Sequence, residues 1–525
     1  MNHTSFGLRR FSSVEELIAD LARRKAKAKL MGGPEKVERE HNLGKYTARE
    51  RIEKFVDPGT FMELGILNHS DQPGAEVKSP ADGYICGLAK IEGRPVLVQA
   101  ADKTVFAGAE GQVYIRKARS LKEYAVKRGI PIFELAEGGG LRMPDGMGSD
   151  GISASLPSRE GLRHGRQVPH IVGIMGDSFG GPTWHAVTSD FAVQVKGTCM
   201  AVGGPRMLEI ATGEKISNED LGGWKLHSEK TAQIDEVAEN EDECMEKMKE
   251  FFSYMPLNAT EEPPFRPTND DPHRIVDEVL EIVPTKRNRA YDMTKLIKTI
   301  VDDGKFFEIK PLFGRALITG FAHLNGRSVG IIANQPMRFG GAAGPDECDK
   351  AIEFISLCDS FHLPLIFLHD IPGFRIGSKG EQQRIPSKIM AWNQALAYST
   401  VPKLSVIIRK SIGMAYSNMC GPGLGADFVV AWPTAEINFT GPEVGINVVY
   451  GNQLIDSENA SEERKELLNQ WSFDSSPYKA AAKHLIDDVI DPRDTRKFLC
   501  QSLEYACLKN GSKSERLLAT WPSLY

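Results

Sequence analysis

The chain has no run of 18 or more apolar residues, so its sequence offers no helix able to span a membrane. Cysteine is scarce, eight among 525 residues, and no two are spaced as CxxC. That argues against a zinc ribbon and against a disulfide framework. Positive charge is not in excess either, the net charge being −6, which disfavours a general nucleic-acid binder. The first thirty residues lack an apolar signal core and carry Glu15, Glu16 and Asp20, unlike a secretory signal or an acid-poor transit peptide. The final Ser523-Leu524-Tyr525 is not the peroxisomal SKL address. A cytoplasmic protein is therefore expected. No serine–histidine–aspartate order and no metal-ligand spacing stands out, and Gly138-Gly-Gly-Leu-Arg142 lacks the lysine of a phosphate loop. No metal is expected in this chain.

What is present is ordinary apolar content, 41%, with 26% charged residues, in a chain too long for one core. Glycine, at 50 residues, is slightly abundant, and it falls in a pattern. Gly87-Leu-Ala-Lys-Ile-Glu-Gly93-Arg94 is echoed by Gly320-Phe-Ala-His-Leu-Asn-Gly326-Arg327, an offset of 233. The same offset carries Phe106, Gly108, Ala109 and Gly111 onto Phe339, Gly341, Ala342 and Gly344. It also carries Lys117 onto Lys350, Glu137 onto Asp370 and Gly180 onto Gly413. After a four-residue insertion, Asp190-Phe191 meets Asp427-Phe428 and Gly204-Pro205 meets Gly441-Pro442. The chain is an internal duplication.

Each copy reads as strand, glycine loop, amphipathic helix and strand, the pattern of an α/β fold. Strands are expected at 94–100, 131–136 and 168–175, with a helix over 111–128. Their counterparts are 328–333, 364–369 and 403–409, with a helix over 348–361. Residues 13–55 and 460–510 read as helical flanks. The proline-rich stretch 256–274 reads as a linker. The expected organisation is an N-terminal domain over 1–262, a linker over 263–274 and a C-terminal domain over 275–525.

In both copies the third strand runs into a glycine turn that opens a helix, at Gly180-Gly181-Pro182 and at Gly413-Met414-Ala415. A helix start carries unpaired N–H groups, and glycine admits a substrate oxygen close to them. Donors fixed before charge develops suit an oxyanion. Two such turns suggest a reaction that builds anionic oxygen on two molecules, such as a thioester enolate and a ureido group losing its carboxylate. A crotonase-type hydratase is disfavoured, since no glutamate pair is evident at the first turn and the second copy would be unemployed.

Longer stretches carry a specific resemblance. They are Thr47-Ala-Arg-Glu-Arg-Ile52, Asp57-Pro-Gly-Thr-Phe-Met-Glu-Leu64, Thr212-Gly-Glu214, Leu221-Gly-Gly223, Ala333-Asn-Gln-Pro-Met337, Asp370-Ile-Pro-Gly-Phe374, Arg409-Lys410 with Gly413, and Ala431-Trp-Pro-Thr-Ala-Glu436. Together they resemble the carboxyltransferase (β) subunit of biotin-dependent acyl-CoA carboxylases, of the propionyl-CoA carboxylase type.

The resemblance implies two crotonase-like ββα-superhelix domains and a homohexamer, with each site formed between the N-domain of one subunit and the C-domain of another. It implies acyl-CoA on the N-domain and carboxybiotin, borne by a separate carrier protein, on the C-domain. Gly180 and Gly181 would hold the thioester oxyanion. Gly413, Met414 and Ala415 would hold the biotin ureido oxygen. Gly108, Gly139, Gly140 and Arg142 lie in the matching CoA-side loops. Arg116, Lys117, Arg119 and Lys122 could meet CoA phosphates, but read first as an exposed, solvated basic helix face. Two departures bear on the acyl group: Ser417 stands where propionyl enzymes carry aspartate, and Pro182-Thr-Trp184-His185 replaces a small apolar run. Trp184 and His185 read as packing or pocket-shaping residues, and an acyl group other than propionyl, or bulkier, is expected. No ATP-grasp region or biotinyl domain is evident, so a biotin carboxylase and a biotin carboxyl carrier are the expected partners. A decarboxylase subunit running the same transfer in reverse, or a non-catalytic structural subunit, are the alternatives.

Overall fold

A computed structural model describes residues 13–151, 165–455, 457–508 and 513–519. The duplication is visible in two eight-stranded sheets of identical topology. In the first, strands β1 (Met62–Glu63) to β6 (Phe191–Val195) run in sequence order through β2 (Tyr84–Ile91), β3 (Arg94–Ala101), β4 (Ile132–Gly138) and β5 (His170–Phe179). Then β8 (Glu236–Ala238) closes the edge, and β7 (Met200–Ala201) pairs with the end of β5. The second sheet repeats this with β9 (Phe306–Ile309), β10 (Leu317–Leu324), β11 (Arg327–Asn334), β12 (Leu365–Ile371), β13 (Lys403–Ile412), β14 (Phe428–Ala431) and β16 (Asp488–Val489). There β15 (Glu436–Asn438) pairs with β13.

The match extends to register. Leu97 faces Ile132 and Gly330 faces Leu365; Ile132 faces His170 and Leu365 faces Lys403. Even the irregularity in β4, between Ala136 and Gly138, recurs in β12 between His369 and Ile371. Both hairpins turn on a pair of left-handed residues, Glu92-Gly93 (φ 51° and 76°) and Asn325-Gly326 (φ 48° and 77°). That geometry suits the right-handed twist of the paired strands. From β3 and β11 onward the strands run parallel, and the crossover helices α1 (Gln112–Arg128) and α4 (Pro345–Ser360) join them.

The two sheets do not stand apart. Helix α3 (Glu241–Tyr254) of the first copy lays Phe251 and Tyr254 against Phe321 of the second, with ring centroids 5.8 and 5.6 Å apart. Phe191, Phe307 and Phe354 join the same apolar cluster, so one core spans the duplication. Lys310 adds a polar tie, its Nζ 3.0 Å from Asp235 and 3.4 Å from Glu353 while donating to the Ala232 carbonyl. Helices at Val14–Lys29, Pro34–Asn42 and Ala48–Phe55, and at Ala460–Asp474, Pro477–Ala482 and Thr495–Ala506, form the flanks. Among the described residues no helix is long and apolar enough to cross a membrane.

Two buried histidines of the second sheet give a pH prediction. Burial pushes His323 down to about 4 and His369 down to about 3. Each stays neutral in the native state while its unfolded counterpart takes a proton near pH 6.5. Their contribution is full above pH 6.5 and is lost as pH falls toward those values. Urea unfolding at pH 7.5 and 5.0 should show a drop of about 2 kcal/mol for each histidine. Replacing His323 by leucine should shrink the drop; an unchanged pH dependence would contradict the assignment.

Candidate active site

Each sheet delivers three chain segments to one place, and close backbone approach explains the glycines. A Cβ at Gly108 would stand 2.7 Å from the Glu137 carbonyl, and one at Gly341 would stand 2.3 Å from that of Asp370. The loop after β3 thus rests on the loop after β4, as its counterpart does in the second copy. Gly140 in turn meets the end of β5: its Cβ would come 2.9 Å from the Phe179 carbonyl and 3.8 Å from the Gly180 Cα. Gly139 has open space where a side chain would stand.

Charged residues beneath these loops are paired inward. Arg142 is buried, 2.9 Å from Asp82, donating to the Ala109 carbonyl and lying over the Phe106 ring. Its counterpart Arg375 pairs with Glu347 over the Phe339 ring. Glu137 is held by Arg51 at 2.8 Å and Lys45 at 2.5 Å, and Asp370 by Arg409 at 2.8 Å. Arg142 therefore shapes its loop and presents no free charge toward a ligand.

The basic helix face also differs from its reading in the sequence. Lys117 is buried, donating to the carbonyls of Ala81 and Tyr84, as Lys350 does to Phe313 and Leu317. Lys122 pairs with Glu134 at 2.6 Å and Arg116 with Asp71 at 2.8 Å. A helix whose lysines serve buried carbonyls and a buried carboxylate is a poor phosphate patch. Periodicity alone could not separate these roles.

At the turns, Gly180 has φ 65° and ψ −116°, and Gly413 has φ 69° and ψ −151°, conformations that only glycine adopts without strain. Helices α2 (Gly181–Val187) and α6 (Met414–Asn418) follow, with α5 (Ile385–Tyr398) packed beside α6. The Gly180 N–H donates to Ala201 in β7 at 3.3 Å, and the Gly413 N–H to Asn438 in β15 at 2.8 Å. This corrects the expectation that these two groups face the substrate, because the short strands already claim them. The first intrahelical bonds are Trp184 N–H to Gly180 and Tyr416 N–H to Gly413. Among the described residues no acceptor takes the N–H of Gly181, Met414 or Ala415. These are the donors a ligand oxygen can use.

The side chains at the turns leave them open. Trp184 is 49% and Met414 51% exposed, and the Met414 sulfur lies 3.6 Å from Asn393 Nδ2. Pro182 is buried within its turn, where its missing N–H deprives the site of no donor beyond its own. Ser417 lies half-buried in α6.

The sequence reading missed an ionic cluster behind the first turn. Glu134 lies buried between His170 at 2.5 Å, His185 Nδ1 at 3.0 Å and Lys122. Burial would raise its carboxyl, but His185 and Lys122 outweigh that and hold it well below the usual carboxylate range. Beside it, Glu110 presses on Gly181: a Cβ there would stand 2.2 Å from Oε1 and 2.3 Å from Oε2. A glutamate pair thus does stand at the first turn, against the expectation. Its two members lie on the loop after β3 and on β4, and no local motif announces them.

Comparison with known proteins agrees with this architecture. The carboxyl transferase domain family matches residues 39–517. A propionyl-CoA carboxylase carboxyltransferase subunit from Haloferax mediterranei is 35% identical, covering 96% of this chain and 98% of that one. A methylmalonyl-CoA decarboxylase subunit alpha from Veillonella parvula is 34% identical, covering 96% and 98%. The crystal structure of transcarboxylase 12S with methylmalonyl-CoA superposes with a TM-score of 0.89 at 34% identity, covering 95% of this chain and 97% of that one. The duplicated crotonase-like sheets, the matched glycine turns and these likenesses converge: the chain belongs to the carboxyl transferase family, as a carboxyltransferase subunit of the acyl-CoA carboxylase group.

Proposed function

We propose that the first copy seats the thioester of an acyl-CoA and the second takes carboxybiotin from a separate carrier protein. The observation that carries this reading is the matched pair of turns, each offering unclaimed N–H groups, at Gly181 and at Met414-Ala415. The C-copy turn fits a ureido oxygen: two adjacent open donors, a half-exposed Met414 side chain, and open space beside Gly373. When bound, carboxybiotin supplies CO2 and then a base for the α-proton of the acyl group.

The chain's own part is electrostatic. Gly181 N–H stabilises the thioester oxygen as it gains charge, and Met414 and Ala415 N–H do the same for the ureido oxygen. Gly180 and Gly413 aim those donors, Gly108 and Gly140 let the acyl-side loops approach closely, and Gly139 leaves open space beside them. Arg142 stiffens the loop from beneath. No step requires a titrating side chain as base.

The partners are a biotin carboxylase and a biotin carboxyl carrier. The assembly is a hexamer whose sites combine the N-copy of one subunit with the C-copy of another, and the setting is the cytoplasm. Carboxylation is the favoured direction. Trp184 at the acyl-side turn and Ser417 beside the other favour an acyl group other than propionyl.

Reconstitution tests this reading: the purified chain, a biotin carboxylase, a biotinylated carrier, ATP and labelled bicarbonate, with acyl-CoAs from acetyl to long and branched chains. Label should enter one class of acyl-CoA. No incorporation into any, with a carrier shown to be carboxylated, would overturn the carboxylase reading. Ser417→Asp should shift the preference toward shorter acyl groups by roughly tenfold in kcat/KM, as small pocket changes do. An unmoved preference would show that Ser417 lies outside the acyl pocket.

A further inference from the structure

The duplication supplies an internal control for the cluster behind the first turn. Under the offset of 233, Glu110, Lys122, Glu134 and His185 correspond to Ala343, Ile355, Phe367 and Asn418. All four counterparts are buried, and three are apolar. The fold is therefore built in the second copy without these charges, so they are no requirement of the architecture. The exchange is also reciprocal in volume. Glu110 lies on Gly181 in the first copy, where the second pairs the small Ala343 position with the large Met414. Gly181, unlike Gly180, needs no left-handed backbone, and the space its missing side chain leaves is filled by the Glu110 carboxyl.

Glu134 is fully engaged by His170, His185 and Lys122, whereas Glu110 is not. Glu110 is only 8% exposed, and its carboxyl, whose oxygens keep some open surface, has no hydrogen-bond or ion-pair partner among the described residues. Its main chain is fixed, the N–H donating to Gly140 and the carbonyl accepting from Arg142. A rigidly mounted, unpartnered polar group at the acyl-side turn calls for a ligand group to satisfy it. An ionised carboxylate there would repel the oxyanion that the turn stabilises. A neutral carboxylic acid would instead add a donor to it.

We propose that Glu110 is a further catalytic residue of the acyl-side site, donating a hydrogen bond as its neutral acid to the thioester oxygen held by Gly181. The proton stays on Glu110 throughout; no bond to it is broken. This rests on the acyl-side assignment made above. Burial raises the Glu110 carboxyl, with Glu134 acting in the same direction and His185 and Lys122 opposing. Those groups, together with the buried Tyr84 and Tyr114, are the charged and titratable side chains that face it from β4, α2, α1 and β2.

The test compares wild type, Glu110→Gln and Glu110→Ala in the reconstituted carboxylase across pH 6 to 9. Glu110→Ala should lower kcat by about a hundredfold with little change in KM, the usual effect of losing one oxyanion donor. Glu110→Gln keeps a donor of the same shape. It should recover most of the rate and lose the decline that wild type shows as pH rises through the Glu110 titration. Equal rates and equal pH profiles for all three, or a faster Glu110→Ala enzyme, would overturn the proposal. A second measurement needs no turnover: calorimetry in buffers of different ionisation enthalpy, with the acetyl- to long-chain acyl-CoAs of the reconstitution as probes and free CoA as control. On the alkaline side, wild type should take up a proton with the acyl-CoAs it binds but not with CoA, and Glu110→Gln should take up none. Proton uptake unchanged in Glu110→Gln would also overturn it. Wild type that carboxylates no acyl-CoA would instead count against the acyl-carboxylase reading, and the calorimetry would still decide the role of Glu110.

Discussion

Gly413→Ala should lower carboxyl transfer by about a hundredfold while the chain remains folded. The alanine would have to adopt φ 69° and ψ −151°, and its Cβ would stand 3.0 Å from the Phe439 carbonyl. Holding an L-residue there costs on the order of 1–3 kcal/mol, and the backbone can relieve that strain by rotating the next peptide. That peptide carries the Met414 N–H, a proposed donor to the ureido oxygen. Gly180→Ala should act alike on the acyl side, where the next peptide carries the Gly181 N–H and φ is 65°. The losses should appear in kcat, because donors matched to developing charge matter most in the transition state. Steady-state kinetics with a thermal-unfolding control checks both variants. A Gly413→Ala enzyme with wild-type kcat would remove the turn from the mechanism.

Arg51→Met should have the largest effect on stability. Arg51 is 1% exposed and bridges Glu137 at 2.8 Å and Glu241 at 2.7 Å, joining the flanking helix Ala48–Phe55 to β4 and α3. Methionine would fill much of the volume but leave two buried carboxylates short of a partner. Breaking a buried ion pair from one side costs about 3–5 kcal/mol, even where the intact pair adds little net stability. Arg116→Ala, which breaks the exposed pair with Asp71, should cost less than about 1 kcal/mol. Chemical denaturation of the two variants checks the contrast. Equal costs would mean that Lys45 at 2.5 Å and Lys103 at 4.0 Å suffice to neutralise Glu137.

The parts legible in the sequence are those written in local pattern. The strands at 94–100 and 328–333, the crossover helices and the glycine turns all follow from short-range periodicity and from the repeat. The duplication even anticipates the register, since Leu97–Ile132 and Gly330–Leu365 are the same pair twice. What was not legible depends on which side chains meet across elements. Lys117 and Lys122 share a helix with ordinary polar spacing, yet one caps buried carbonyls and the other pairs with Glu134. Glu110, Glu134, His170 and His185 lie on a loop, two strands and a helix, and only the sheet order brings them together. The offset of 233 was the one available signal: charged residues standing where the second copy is apolar. The claim of the Gly180 and Gly413 N–H groups by β7 and β15 rests on two-to-three-residue strands that no pattern marks.

Mixing two inactive variants tests the central claim, that carboxyl transfer uses one turn from each copy and that the two come from different subunits. Gly180→Ala and Gly413→Ala chains, unfolded or dissociated together and reassembled, should recover roughly a quarter of wild-type carboxylation. Half of random pairs are mixed, and in each mixed pair one of two sites draws both intact turns. Each variant reassembled alone should stay inactive. No recovery in assemblies shown to be mixed would contradict a shared site, and full activity of either variant alone would contradict the need for its turn.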